Sequence, residues 1–368
     1  MFLPYLFKYS IRIVLFLLCA SAIMGILYLP AYTPVITEKS LNVFAWSGML
    51  DAEYMSVFEQ ETGIKVNLSY FESNEELLVK LRSTGGKGYD LILPSDYAVA
   101  LLRQENLLKP IDKSKLSFYK NIDPVFLSHY YDPDNTYSIP FEWAIYGIGI
   151  NKRFFADKNL TTQQNHWSLL FNPASYHKNY KVVMVNDPIA AFPMASLYLF
   201  GTMHNLSQEQ VNAIKKTLRN QRNFVEVYTD FRSDEILASN SVPVAATTSS
   251  YIARGMKYNK DLDFIVPAQS LITIEHFAIP AASNKQELAY KFIEFMYKPK
   301  TIIHHFNTMP FFPVTPTVLD SLNIPASLKS LVRITPEQFK KLSFLNLGTM
   351  HTPITEQFVR SAWIEIKS

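Results

Sequence analysis

The residues best equipped for chemistry gather at the ends of short apolar runs. Trp46 and Ser47 end one run, Phe71-Glu72-Ser73-Asn74 a second, and Pro94-Ser95-Asp96-Tyr97 a third. Together they offer an indole, hydroxyls, carboxylates and a phenol, a mixture suited to a small polar or cationic ligand. Farther on, Glu275 stands in an otherwise apolar run from Ile272 to Ala278, where a buried acid demands a partner. Asp187 precedes Pro188 and has the form of a helix N-cap. His304 and His305 are adjacent on a helix, so their side chains point apart and make a poor metal pair. No nucleophile-and-base spacing, P-loop or dinucleotide glycine motif occurs. The single cysteine, Cys19, lies in the N-terminal apolar run, so the rest of the chain has no thiol chemistry or disulfide. This inventory reads as a binding protein without cofactor or metal, not an enzyme.

A regular alternation of elements must position these groups. Leu41 to Trp46 is a short apolar strand, and Asp51 to Thr62 carries Tyr54, Val57, Phe58 and Glu61 at helical spacing up to Gly63. Ile64, Val66, Leu68 and Tyr70 alternate as a half-buried strand does. Ser73 and Glu76 form an S-x-x-E capping box that opens a second helix. Gly85, Gly86 and Gly88 end it, and Tyr89 to Leu93 is a third strand. Alternating strands and helices imply a parallel sheet with its ligand crevice beyond the strands' carboxyl ends, where Trp46, Ser73 and Ser95 fall.

Asn42 to Trp46, Glu61-Thr62-Gly63-Ile64-Lys65-Val66, Tyr70 to Asn74, Tyr89-Asp90-Leu91, Pro94-Ser95, Ile111 to Leu116 and Tyr137-Ser138-Ile139-Pro140 resemble, in order, the spermidine/putrescine-binding proteins of bacterial ABC transporters. The resemblance is stronger before about Phe155 than after it. It implies a two-lobed periplasmic-binding-protein fold of type II, α/β, with hinged lobes each built on a central, mostly parallel sheet. Lobe 1 is expected to comprise 40–143 plus 273–312, and lobe 2 to comprise 144–272 plus 313–368. By the same resemblance Trp46 packs on the ligand's alkyl chain, Ser47 and Ser95 hydrogen-bond, Tyr97 lines the site, Asp187 and Glu275 hold amines, and Phe311 or Phe312 adds an aromatic face. Asp96, Glu142 and Ser249 are further candidates, and Trp143 stands near the expected hinge as either an interdomain aromatic or a ligand contact.

The departures from that pattern matter as well. The family's acidic residue two positions after the tryptophan is here Gly48, a second carboxylate three residues after Asp187 is here Ala190, and tryptophans expected near Ala246 and Thr273 are missing. A site with two remaining carboxylates suits two ammonium groups, so a diamine is expected to bind at least as well as a triamine.

Length and charge agree with this reading. The 368 residues suggest two domains, and the formal net charge of +3 is too mild for a nucleic-acid binder. Residues 1 to about 31, within a leader taken as 1–34, resemble an export signal: Lys8 and Arg12 lead into an apolar run from Ile13 to Leu29. Ala20-Ser21-Ala22 is an A-x-A cleavage site, yet the run approaches the ~20 residues that span a bilayer. Cleavage at that site and retention as an inner-membrane anchor both stay open. Leu17-Leu18 before Cys19 argues against lipidation. The expected function is a periplasmic polyamine-binding component that closes its lobes on putrescine- or spermidine-like cations and delivers them to an inner-membrane ABC permease. A periplasmic sensor for a membrane receptor, or a binding protein for a different small amine, is the alternative.

Overall fold

The computed structural model describes residues 14, 16–21, 23–24, 39–155, 166–173, 180–346 and 356–368. In the N-terminal segment the described residues between 14 and 24 are helical; most of the expected export signal, including Ala22, lies outside the described residues. Among the described residues no helix is long and apolar enough to cross a membrane. Ser40–Ser368 packs as a separate unit.

That unit is built on one hydrogen-bonded path of strands. β1 (Ser40–Trp46) lies between β2 (Lys65–Phe71) and β3 (Leu91–Ile92), parallel to both. Between them run α1 (Met55–Thr62), capped by Gly63, and α2 (Asn74–Thr84). Ser73 caps α2 by accepting from the Glu76 N–H, but the Glu76 carboxylate accepts from the Glu72 N–H, so the expected capping box is only half made. α3 (Asp96–Gln104) follows β3 with Ser95 as its N-cap residue. The next strand is far longer than its apolar core suggests: β4 runs from Ser138 to Asn151, because Ser138 to Pro140 already pairs with a later strand.

Beyond β4 come β5 (Val182–Met184), α4 (Pro188–Phe200), α5 (Gln208–Gln221) with its full Ser207/Gln210 capping box, and β6 (Val225–Tyr228). α6 (Ser233–Ala238) precedes β7 (Val244–Thr248), and Ser249–Gly255 forms α7, a helix that the sequence did not announce. β8 (Leu262–Ile265) pairs with β4, and Gly147 permits this approach: a Cβ there would lie 2.6 Å from the Ile265 carbonyl oxygen. β9 (Ser270–Ala278) then returns antiparallel to β4. α8 (Gln286–Met296), α9 (Pro299–Thr308), β10 (Phe312–Pro313), β11 (Leu342–Phe344) and α10 (Glu356–Lys367) complete the chain. The sequence predicts this last helix over Ile354 to Ile366, and Ile354 lies outside the described residues.

The order β2-β1-β3-β9-β4-β7-β5-β6 has a parallel trio at each end, as expected for two lobes. The two trios are joined rather than separate. β4 and β9 pair from Ser138 opposite Ala278 to Tyr146 opposite Leu271, so the ladder continues through the crossing strands. Their backbone groups are buried there and must pair with something; each strand is the other's nearest partner. β10 adds to the same junction, with Phe312 opposite Trp143.

Candidate functional site

A cleft of about 790 Å³, counted with its opening to solvent, lies along the carboxyl ends of β1, β5, β7 and the centre of β9. Its charged lining residues, among the described ones, are Glu75, Asp187, Asp230 and Glu275; no lysine, arginine or histidine lines it. All seven principal candidates, Trp46, Ser47, Ser95, Tyr97, Asp187, Glu275 and Phe311, are on its wall. Tyr146, Tyr251, Met49 and Met309 add aromatic and thioether surface.

Glu275 projects from the middle of β9 into this cleft and is fully enclosed. The Trp46 indole N–H donates to its Oε2 (2.9 Å), the Ser95 hydroxyl reaches both oxygens (2.9 and 2.8 Å), and the Thr273 hydroxyl donates to Oε1 (2.9 Å). Asn74 fixes Ser95 by donating to its Oγ at 3.0 Å. These neutral donors favour the carboxylate, but burial outweighs them and pushes the Glu275 pKa up to about 8. A buried carboxylate of this kind is stabilised by an added cation, and its four lone-pair sites leave room for an ammonium beside the existing donors.

The other end is assembled from different elements. Asp187 caps α4: its Oδ1 accepts from the Ile189 N–H at 2.7 Å. Its other oxygen, Oδ2, lies 3.3 Å from the Tyr97 hydroxyl, so the cap and cleft-facing readings both apply. Asp230 accepts from the N–H groups of Asn186 (2.7 Å) and Asp187 (2.9 Å) through Oδ1. Glu75, in the first turn of α2, lies 3.4 Å from the Tyr97 hydroxyl and forms an ion pair with Arg360 of α10 at 2.8 Å. Burial, then the nearby Glu75 and Asp230 charges, raise the Asp187 pKa well above the usual carboxylate range. Burial likewise pushes Asp230 to about 7.

The further candidates are engaged away from the cleft wall. Asp96 is enclosed behind it, its Oδ2 accepting from the Ile274 N–H (2.9 Å), and burial pushes its pKa up to about 7. Glu142 is bound to His305 (2.6 Å), and Ser249 accepts from the Ile145 N–H (3.2 Å). Phe312 packs edge-on against Trp143, which is itself buried at the junction, so both are core residues. His304 turns to Asp51 while His305 turns to Glu142, as adjacent helical positions require.

Two acids escaped the sequence reading. Glu75 was not singled out, although its place in the first turn after the second strand end put it at the crevice. Asp230 follows β6 in a short turn with no motif around it. Gly48, the position of a missing acid, sits at φ +75°, a left-handed backbone that other residues resist. Ala190 is buried inside α4. The acids that the resemblance implied at these two positions are thus absent, while Glu75 and Asp230 stand on the cleft wall.

An α/β chain with long paired crossing strands and a cleft at its strand ends is a binding protein of the two-lobed periplasmic type. The chain belongs to the bacterial extracellular solute-binding protein family, whose profile matches residues 53–331. It is similar to the spermidine/putrescine-binding periplasmic protein of Salmonella typhimurium, 29% identical over 265 residues covering 71% of this chain and 74% of that protein. It is also similar to the putrescine-binding periplasmic protein SpuD of Pseudomonas aeruginosa, 28% identical over 353 residues covering 90% of this chain and 92% of that protein. A structure from Listeria monocytogenes described as a spermidine/putrescine ABC transporter matches with a TM-score of 0.77 at 28% identity, covering 89% of this chain and 99% of that one.

Proposed function

We propose that this chain is the periplasmic substrate-binding component of an ABC importer for polyamines, taking a putrescine- or spermidine-like cation and presenting it to an inner-membrane permease. One observation carries the reading: every charged residue described on the cleft wall is a carboxylate. Sugars need mixed donors and acceptors, and anions need cations or free N–H groups; an all-acid cleft with aromatic faces suits ammonium groups joined by methylenes. The names of the relatives support the same ligand class. In this reading Glu275 grips one ammonium, Asp187 and Asp230 share the other, and Trp46, Tyr97, Tyr146, Tyr251 and Phe311 cover the alkyl chain.

Lobes of 40–143 plus 273–312 and of 144–272 plus 313–368 would close by bending at β4, β9 and the segment Met309 to Pro316. The chain would bind and release its ligand unchanged. A thermal-shift screen of the exported form against diamines, triamines, amino acids, sugars and dicarboxylates tests the reading. Amines should raise the melting temperature, since a ligand at a hundred times its Kd adds about 2.7 kcal/mol. Stabilisation by sugars or dicarboxylates without amines would overturn it.

A further inference from the structure

We infer that Arg360 is a specificity-determining residue: its guanidinium occupies Glu75 in the place that a third ligand ammonium would take, and so tunes the cleft to two-charge amines. The inference rests on the polyamine reading and names the residue that sets ligand charge number within it.

The cleft's acids exceed the needs of a diamine. Glu275 stands at one end, whereas Glu75, Asp187 and Asp230 crowd the other, near enough that Glu75 raises the pKa of both aspartates. With Asp187 and Asp230 sharing one ammonium, Glu75 is the acid left over. The chain supplies its counter-charge from α10, which packs on α4 and α5. Arg360, Trp363 and Lys367 fall at helical spacing on one stripe of α10, the first reaching α2 and the other two the turn before Asp187. Arg360 pairs with Glu75 at 2.8 Å, the Trp363 indole N–H donates to the Asn186 carbonyl (2.9 Å), and Lys367 donates to the Asn186 side chain (2.7 Å). Trp363 is buried, so the stripe is held in place rather than trailing in solvent.

The geometry is one of substitution. Glu75 lines the cleft while Arg360 does not, so the guanidinium reaches its carboxylate from behind the wall. Its partner is about one-fifth exposed and it is itself under one-third exposed, which keeps the pair from full solvent screening. A third ammonium arriving at this end would have to displace Arg360 from Glu75 or sit beside its positive charge. A diamine meets neither obstacle. The two-charge preference expected from losses at Gly48 and Ala190 thus has a different physical origin: the acids are present, and one is already taken.

The test is calorimetry of the full exported chain with putrescine and with spermidine, on the native protein, on Arg360→Gln, and on Arg360→Met, which keeps the packed stem and removes only the charge. Circular dichroism verifies the fold of each variant. The ratio of spermidine to putrescine affinity should rise about tenfold in both variants, and Arg360→Lys should restore the native ratio. Adding Glu75→Gln to Arg360→Gln should abolish the gain, because the freed carboxylate is its cause. An unchanged ratio in a folded variant, or a gain that survives Glu75→Gln, overturns the inference while leaving the polyamine reading intact. Failure of the native protein to bind either amine overturns the reading itself.

Discussion

At one end of the cleft a single carboxylate, Glu275, rides on a long paired strand among neutral donors; at the other, Glu75, Asp187 and Asp230 arrive from separate elements with Arg360 and Lys367 behind them. The first end is held by regular elements. Its donors Trp46, Ser95 and Thr273 are fixed by β1, the α3 cap and β9. The second end brings α2, which belongs with the β2-β1-β3 trio, to α4 and α10, which belong with the β7-β5-β6 trio, so its geometry depends on the two parts meeting. On the proposed lobe closure, a ligand would bind first at the Glu275 anchor and be enclosed afterwards.

Removing the anchor should have the largest effect. Glu275→Gln is expected to weaken diamine binding by about 2 to 5 kcal/mol, the scale for unpairing a buried charge, as read by calorimetry. Trp46→Ala comes next, at about 1 to 3 kcal/mol, through lost packing and cation–π contact. If Trp46→Ala proves the costlier of the two, aromatic enclosure dominates over the counter-charge. At the assembled end Asp187→Asn should lose only about 1 to 2 kcal/mol of binding, because Asp230 stays to share the ammonium. Asparagine caps a helix as well as aspartate, so the melting temperature should stay within about 2 °C of native; a large fall in stability with unchanged affinity would make Asp187 a cap alone.

The smallest effect is on pH. Burial raises Glu275 from its ordinary 4.5 to about 8 and Asp230 from 3.8 to about 7 in the ligand-free chain. The folded state therefore binds more protons than the unfolded chain across the interval between the two values, and ligand-free stability should fall as pH rises from about 5 to about 8. Ammonium binding favours the ionised acids, so it should release protons and grow tighter with pH over roughly the same upper range. Calorimetry in buffers of different ionisation enthalpy reads the released protons directly. Uptake of protons on binding would reverse the assigned sign.

Much of the first end was legible in the sequence because strand periodicity and capping residues are local signals. β1, β2 and α2 follow from apolar alternation and Ser73, and Glu275 announced itself as an acid in an apolar strand. The joining of the two parallel trios was not legible, since the length of β4 depends on β9 more than 100 residues away. Asp230 and Glu75 were missed for the same reason: each becomes a cleft residue only through the placement of other elements. Phe311 and Phe312 illustrate the limit at single-residue scale, adjacent in the chain yet one on the cleft wall and the other packed on Trp143.

Whether the cleft selects positive charge is measured most directly by calorimetric titration of the purified protein with 1,4-diaminobutane, 1,4-butanediol and succinate, which share a four-carbon length. The diamine should bind at least about a hundredfold more tightly than the diol, roughly 2.7 kcal/mol, and succinate should not bind. Equal binding of diol and diamine, or any preference for succinate, would contradict that selection.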